Sequence, residues 1–341
     1  HDARHMNYLV RAAATDDLEA LYEMAKLTGG GFTNLPPDRD ALAERLARSQ
    51  AAFASDDEHP ADYLYIHVLV NTQSGRVCGT AQIFSLIGET WPFYSYRLGS
   101  ITQTSKELGR TFKADTLSLT TDMNGSSEVG GLFLHPNERA GGIGRLLARG
   151  RYLFIRQHRA RFAHRVIAEL RGIVDEAGCA PFWDALAGKF FGMTFQEADH
   201  FNSLHGTQFI ADLMPKHPIY LAMLPENALR VIGVPHSQGR AAMAMLESEG
   251  FRYDGYVDIF DGGPTMTVPT DQIRTLRESR EGTMLAGEPV TPRSALVAAG
   301  RLQNFRVGVA QIEGETDIRM NAGDAVSLGL IPGDDVLHVS V

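Results

Sequence analysis

A chain of 341 residues, 44% hydrophobic and 21% charged, has the make-up of an ordinary globular protein with room for two domains, or for one large domain with an appendage. Its net charge of −9 argues against general nucleic-acid binding, although a local basic patch can still hold a phosphorylated ligand. Two cysteines, Cys78 and Cys179, make neither a disulfide framework nor a metal site and suit a reducing cytoplasm, and no apolar run nears the 18 or so residues of a membrane span.

The opening His1-Asp2-Ala3-Arg4-His5 before Met6 has the look of an expression remnant, and residues 1–5 are set apart from the fold. Tyr8 to Arg11 reads as a strand. Thr15 is the expected N-cap of a helix carrying Leu18, Leu21, Met24, Ala25 and Leu27 at helical spacing. That helix runs out in Gly29-Gly30-Gly31, a loop open to lining an acceptor site or to serving as a plain connection. Asp38 to Phe53 is a second helix. Tyr63–Val70 and Val77–Leu86 are β-rich runs joined by a hairpin turn signal.

The segments Trp91–Gly99 and Ser105–Gly109 interrupt this pattern as an insertion, and Leu117–Thr120 is a short strand. Ser126 to Arg151 then reads as a strand from Glu128 to Leu134, a turn at His135-Pro136, a glycine-rich loop, and a helix from about Ile143. The loop Arg139-Ala140-Gly141-Gly142-Ile143-Gly144 is an R-x-x-G-x-G pattern. Its glycines let backbone approach a ligand, and the unpaired amides of the following helix suit a pyrophosphate. Arg139 and Arg145 are the plausible phosphate neighbours; the remaining arginines of that helix read as a solvated face. A plain strand-loop-helix turn and a dinucleotide fingerprint compete for this stretch, but G-x-G-x-x-G is absent and no early βαβ unit precedes it.

Val166–Gly172 is the next strand, and a helix starts at Pro181. Ala241–Phe251 reads as a helix with a Gly-Phe ending, followed by a strand to Phe260. Thr270–Arg280 is a charged helix, and Glu281–Pro292 has linker composition. Ala295–Val341 alternates short apolar runs with Gly-Asp turns, a small β-rich, barrel-like module whose default role is packing or assembly.

The strand, proline, arginine and glycines of 128–144 together resemble the pyrophosphate loop of the GNAT acyl-CoA N-acyltransferase fold. More specific blocks follow in order: Leu27–Gly31, Ser105–Leu108, Gly125–Glu128, Ala168–Gly172, Pro181–Trp183, Leu213–Tyr220 and Asp258–Thr265. From about Met6 onward they resemble the bacterial arginine N-succinyltransferase family. The resemblance implies an α+β, GNAT-like fold of two tandem acetyltransferase-like units open to exchange of terminal strands. It divides the chain into an acyl-CoA-binding unit at 6–205, a second, degenerate unit at 206–290 with no second glycine loop, and the β-rich module at 291–341. It implies a cytoplasmic enzyme that moves succinyl from succinyl-CoA to the α-amine of L-arginine, with no tightly bound cofactor, no metal, no nucleic acid and no membrane. Assembly as a homo-oligomer or with a related subunit goes with it. Transfer onto ornithine or another basic amine, a non-catalytic partner subunit, and a protein or ribosomal acetyltransferase with an open acidic groove are the alternatives.

By the same resemblance the main-chain amide of Leu132 meets the acyl-CoA carbonyl. Phe133, Leu134, Arg139, Gly141, Gly142, Ile143 and Gly144 form the cofactor site, and His236 is the proton donor, with His217 a weaker choice. The succinyl carboxylate calls for a cation, for which Lys106, Arg97 and Lys216 are candidates. Arginine's guanidinium calls for carboxylates, for which Glu128, Glu169, Asp258 and Asp261 are candidates. The histidines and cysteines show no metal-ligand spacing.

Overall fold

The computed structural model describes residues 6–28 and 34–341; the expected remnant at 1–5 and the glycines 29–31 lie outside them. The strands are β1 (Tyr8–Ala12), β2 (Leu64–Asn71), β3 (Val77–Phe84), β4 (Ser95–Ser105), β5 (Arg110–Thr120), β6 (Ser127–Leu134), β7 (Arg165–Glu169), β8 (Ile219–Tyr220), β9 (Arg252–Val257), β10 (Pro264–Pro269), β11 (Arg280–Met284), β12 (Arg293–Ala299), β13 (Arg306–Glu313), β14 (Asp317–Met320) and β15 (Asp335–Ser340). Three helices matter most for the site: α1 (Leu18–Ala25), α2 (Arg39–Ala54) and α3 (Ile143–Gln157).

All these strands hydrogen-bond into one sheet of order β12-β15-β11-β14-β13-β1-β2-β3-β6-β7-β10-β9-β4-β5-β8. A further β12–β13 pairing closes the first five into a small barrel, which joins the rest through β1 and β13. The pairings are antiparallel except β6–β7 and β11–β14.

Alternation along β2 sets the two layers on the central strands. Leu64, Ile66 and Val68 face α1 and α2, packing with Leu21, Met24, Leu42, Leu46 and Phe133. Tyr65 and Leu69 point the other way, into the core built on Leu147, Leu153 and Phe154 of α3. Each such large side chain contributes ~1.5–3 kcal/mol by leaving water. A second core, around Trp183, Phe182, Tyr96, Val257 and Phe260, lies under β4 and β9.

Several local expectations change. Thr15 does not cap α1; a 3-10 turn at Thr15–Asp17 precedes it, and the Asp17 carboxylate accepts from the Ala14 N–H at 2.7 Å while pairing with Arg11 at 2.8 Å. The second helix starts one residue later than read, with Asp38 as its N-cap accepting from the Ala41 N–H at 2.8 Å. The insertion at 91–109 and the strand after it form one long hairpin, β4–β5, in unbroken register from Ser95↔Thr120 to Ser105↔Arg110. Within the stretch of linker composition, residues 280–284 are β11, a barrel strand. With its splayed parallel pair and glycine loop described below, the architecture is α+β and GNAT-like.

Candidate active site

The glycine loop follows β6 directly. His135 caps a 3-10 turn, its Nδ1 accepting from the Asn137 N–H at 3.2 Å. Gly141 and Gly142 have φ of +69° and +78°, a left-handed conformation that glycine adopts without strain, and Gly142 is the N-cap of α3. A Cβ on Gly141, Gly142 or Gly144 would meet nothing, so the surface over the first turn of α3 is open. The Ile143 and Gly144 amides precede the first bonds of the helix, in which Arg145 and Leu146 N–H donate to the Gly142 carbonyl at 3.0 and 3.3 Å, and they carry the positive end of the helix dipole. Arg139 turns back along β6 instead of outward: its Nε donates to the Leu134 carbonyl at 2.9 Å and its guanidinium lies 5.4 Å from the Phe133 ring centroid. Arg145 is exposed on that first turn, and Ile143 packs partly onto the main core.

The strands β6 and β7 pair in parallel at Ser127↔Val166 and Glu128↔Ile167. Beyond that register β7 follows β10, with Glu169 opposite Thr265, while β6 stays with β3. A bulge at Gly131, φ +57°, bends β6 at the mouth of the gap. It also shifts the alternation: Val129 faces the α3 core, and after the bulge so do Leu132 and Leu134, leaving Phe133 toward α1. The Gln82 side chain fills the space a Gly131 Cβ would need, coming within 2.8 Å. Its Nε2 donates to the Asn34 carbonyl at 2.7 Å, and its buried Oε1 has no partner among the described residues.

On the face opposite α3, four carboxyls meet. Glu128 comes from β6, Glu169 from the end of β7, and Asp258 and Asp261 from the turn between β9 and β10. Carboxyl–carboxyl hydrogen bonds link Glu128 to Glu169, Glu169 to Asp258 and Asp258 to Asp261, each requiring a shared proton. Burial and the neighbouring negative charges push Asp258 up to about 7 and Asp261 up to about 8. Burial, followed by the Asp258 charge, raises Glu128 to about 7, the Glu169 bond opposing the rise. Glu169 is held well above the usual carboxylate range by burial of its carboxyl and by Glu128, although its outer surface meets water at the cleft.

The turn that carries the aspartates is pinned tightly. Asp261 accepts from the Gly172 and Gly263 N–H groups, both at 2.9 Å, and Asp258 accepts from Phe260 and Asp261 at 2.7 and 3.0 Å. A Cβ on Gly263 would lie 2.2 Å from the Leu170 carbonyl oxygen, so only glycine lets the turn close on the exit of β7.

His236 stands beside this cluster, half-buried. Its N–H donates to the Arg171 carbonyl at 2.7 Å, and its Nδ1 accepts from the Gln238 N–H at 3.2 Å. With Nδ1 occupied as an acceptor, the neutral ring carries its proton on Nε2, free to donate. Burial and the Arg171 charge lower its pKa, against the pull of Asp261.

The structure thus gathers Glu128, Glu169, Asp258, Asp261 and His236, with Leu132 and the glycine loop on the same β6–α3 unit. The other candidates lie apart. Lys106 is exposed at the tip of the β4–β5 hairpin. Arg97 is exposed and 3.6 Å from Asp122. Lys216 donates to the Ala211 carbonyl at 2.7 Å, and His217 is exposed. Gln82 joins the site without any sequence signal of its own, and Arg171 sits in the block Ala168–Gly172 without being singled out there, since only cross-strand register brings them to the cleft. Among the described residues no group of three or more His, Cys, Asp and Glu is arranged to hold a metal ion. Surface recesses of about 530 and 420 Å³, by Arg159 and Asp271 and by Phe112 and Leu229, share no lining residue with the carboxyl cleft.

Residues 8–275 match the family model described as arginine N-succinyltransferase beta subunit. Proteins named arginine N-succinyltransferase from Salmonella arizonae and from Enterobacter sp. strain 638 are each 39% identical, over 94% of this chain and 96% of theirs. The solved structure of arginine/ornithine succinyltransferase subunit AI from Pseudomonas aeruginosa superposes with a TM-score of 0.90 at 32% identity, over 98% of this chain and 99% of that one. Likeness along nearly the whole chain, in sequence and in fold, agrees with the site just built, and the chain belongs to the arginine N-succinyltransferase family.

Proposed function

We propose that this enzyme transfers succinyl from succinyl-CoA to the α-amine of L-arginine, releasing coenzyme A and N2-succinylarginine. The gathering of four carboxyls beside His236, at the splay of β6 and β7, is the observation that carries this reading. A cationic acceptor relieves the repulsion among them, and a bidentate guanidinium matches a carboxylate better than any other side-chain group.

The reaction is acyl transfer through a tetrahedral intermediate. The first amides of α3, with Gly141, Gly142 and Gly144, hold the pyrophosphate of the donor, and Phe133, Leu134 and Arg139 fix the strand exit behind them. The amide of Leu132 donates to the thioester oxygen as negative charge builds on it. The Glu128–Glu169 pair takes the proton of the arginine ammonium, and Asp258 with Asp261 holds the cation in place. The amine nitrogen then attacks the carbonyl carbon, and the C–S bond breaks as the intermediate collapses. The nitrogen sheds its second proton as the amide forms, and the thiolate is protonated through the Nε2 position of His236, so the imidazole gains one proton for the one it gives and ends neutral; a positioned acid of this kind adds ~10²-fold or more.

The division into units at 6–205, 206–290 and 291–341 belongs to the same proposal, as do cytoplasmic action and assembly with like or related subunits. Transfer onto ornithine is the second reading, because the Pseudomonas relative is named for both amines.

Purified protein offered arginine or ornithine with succinyl-CoA or acetyl-CoA, followed by thiol release, tests the reading. Fastest release with arginine and succinyl-CoA is expected. No release with any pair would sink it.

A further inference from the structure

The donor presents a difficulty that the acceptor does not. A succinyl group brings its own carboxylate into a cleft already holding four carboxyls, so a cation must receive it. Lys106, Arg97 and Lys216 lie elsewhere or are engaged, and Arg139 is bonded to the Leu134 carbonyl. Arg171 is different. Among the described residues its Nε is buried without a hydrogen-bond partner, and its guanidinium forms no ion pair. A desolvated donor left in this state is satisfied by an acceptor that arrives with a ligand.

Register places Arg171 where the acyl chain ends. Glu128 of β6 pairs with Ile167 of β7. Counting four residues along each parallel strand gives Leu132 on one wall of the gap and Arg171 on the other, level to within the single residue added by the Gly131 bulge. Val166, Ala168 and Leu170 face the α3 core, so Glu169 and Arg171 share the cleft face. The carbonyl and carboxylate carbons of an extended succinyl group are about 4 Å apart across three C–C bonds. A thioester held at the Leu132 amide therefore projects its carboxylate toward the far wall. The main-chain bond from the His236 N–H to the Arg171 carbonyl at 2.7 Å ties the Arg171 backbone to the turn that carries the proton donor.

Resting on the reading of this chain as a succinyltransferase, we infer that Arg171 binds the distal carboxylate of the succinyl group and sets the preference for succinyl over uncharged acyl donors. The planar fork of arginine can meet both carboxylate oxygens, which a lysine ammonium at the same place cannot. An acyl chain ending in a methyl leaves the buried Nε of Arg171 unpaired, and an unpaired buried donor discriminates strongly.

Butyryl-CoA is the probe, because it replaces the succinyl carboxylate by a methyl at equal chain length. The measurement is kcat/KM for succinyl-CoA, butyryl-CoA and acetyl-CoA, with arginine as acceptor, in the wild type, Arg171→Met and Arg171→Lys. The succinyl-to-butyryl ratio is expected to fall on the order of 10²-fold in Arg171→Met and by less in Arg171→Lys. An unchanged ratio in either variant, with the wild type active, overturns the proposal alone. An equal loss with all three donors in both variants also overturns it, since it marks Arg171 as structural. Absence of transfer by the wild type with every donor instead overturns the succinyltransferase reading on which it rests.

Discussion

His236 and His135 occupy the same kind of turn, each with Nδ1 accepting from the amide two residues on at 3.2 Å and each leading through a 3-10 turn toward a helix. The first stands at the carboxyl cleft; the second precedes the glycine loop. Such a cap fixes a tautomer, and so His236→Ala is expected to cut kcat on the order of 10²-fold while acyl-CoA affinity, read by calorimetric titration, changes little. Glu128 is expected to govern the acid side of the pH profile. In the proposed role of proton acceptor it works ionised, so kcat/KM for arginine is expected to rise as pH passes about 7, and Glu128→Gln to abolish most of that rise along with the activity. The carboxyls were legible only through the family blocks that contain them, because isolated acidic residues at 128, 169 and 258 have no common spacing. Arg171 lies in the same block as Glu169, yet nothing marked it as a site residue, since the sequence extends the strand to Gly172 where β7 ends at Glu169 and the unpaired state of its Nε is a property of the folded cleft.

Strands and helices with strong apolar periodicity, such as α2, α3, β2, β3 and β6, fall within a residue or two of where the sequence places them. The hairpin β4–β5 does not, because most of its outer half is polar and exposed and is held by ladder bonds rather than burial. Strand β11 was hidden for a related reason: its Arg-Glu-Gly-Thr-Met sequence looks like a linker until β14 and β15 flank it. The turn between β9 and β10 is the element on which the cleft most depends. Gly263→Ala is expected to destabilise the protein on the order of 3 kcal/mol, measured by urea unfolding, because its Cβ would lie 2.2 Å from the Leu170 carbonyl oxygen. Activity is expected to fall further than stability alone accounts for, since that displacement moves Asp258 and Asp261.

At the scale of the whole molecule two sets of buried groups pull stability in opposite directions with pH. His67, with both ring nitrogens unpartnered among Phe53, Phe154 and Phe305, is pushed down to about 3 by burial, and His158 to about 4. Both fold neutral, so the unfolded chain binds more protons below its own value near ~6.5, and stability falls as pH drops from there toward 3. The carboxyl cluster works the other way. Its folded values, raised to about 7 to 8 for Glu128, Asp258 and Asp261, mean that its contribution is complete below the ordinary carboxylate range near ~4 and is lost as pH rises through 7 to 8. Each proton so linked is worth ~1.4 kcal/mol per pH unit inside its window. Scanning calorimetry of the free protein is expected to show greatest stability between these limits. His67→Leu flattens the acid limb, and added arginine raises the melting temperature more at pH 8.5 than at pH 6.

The parting of β6 from β7 has a consequence for exchange with solvent. A central strand normally has its amides locked on both edges, yet beyond Glu128 the gap-side edge of β6 has no neighbouring strand. Deuterium should enter that short stretch quickly while β2 and β3 beside it stay protected, a fast-labelling seam inside the buried centre of the sheet. Saturating acyl donor should close the seam, making one peptide around Leu132 a direct gauge of occupancy even where no reaction follows.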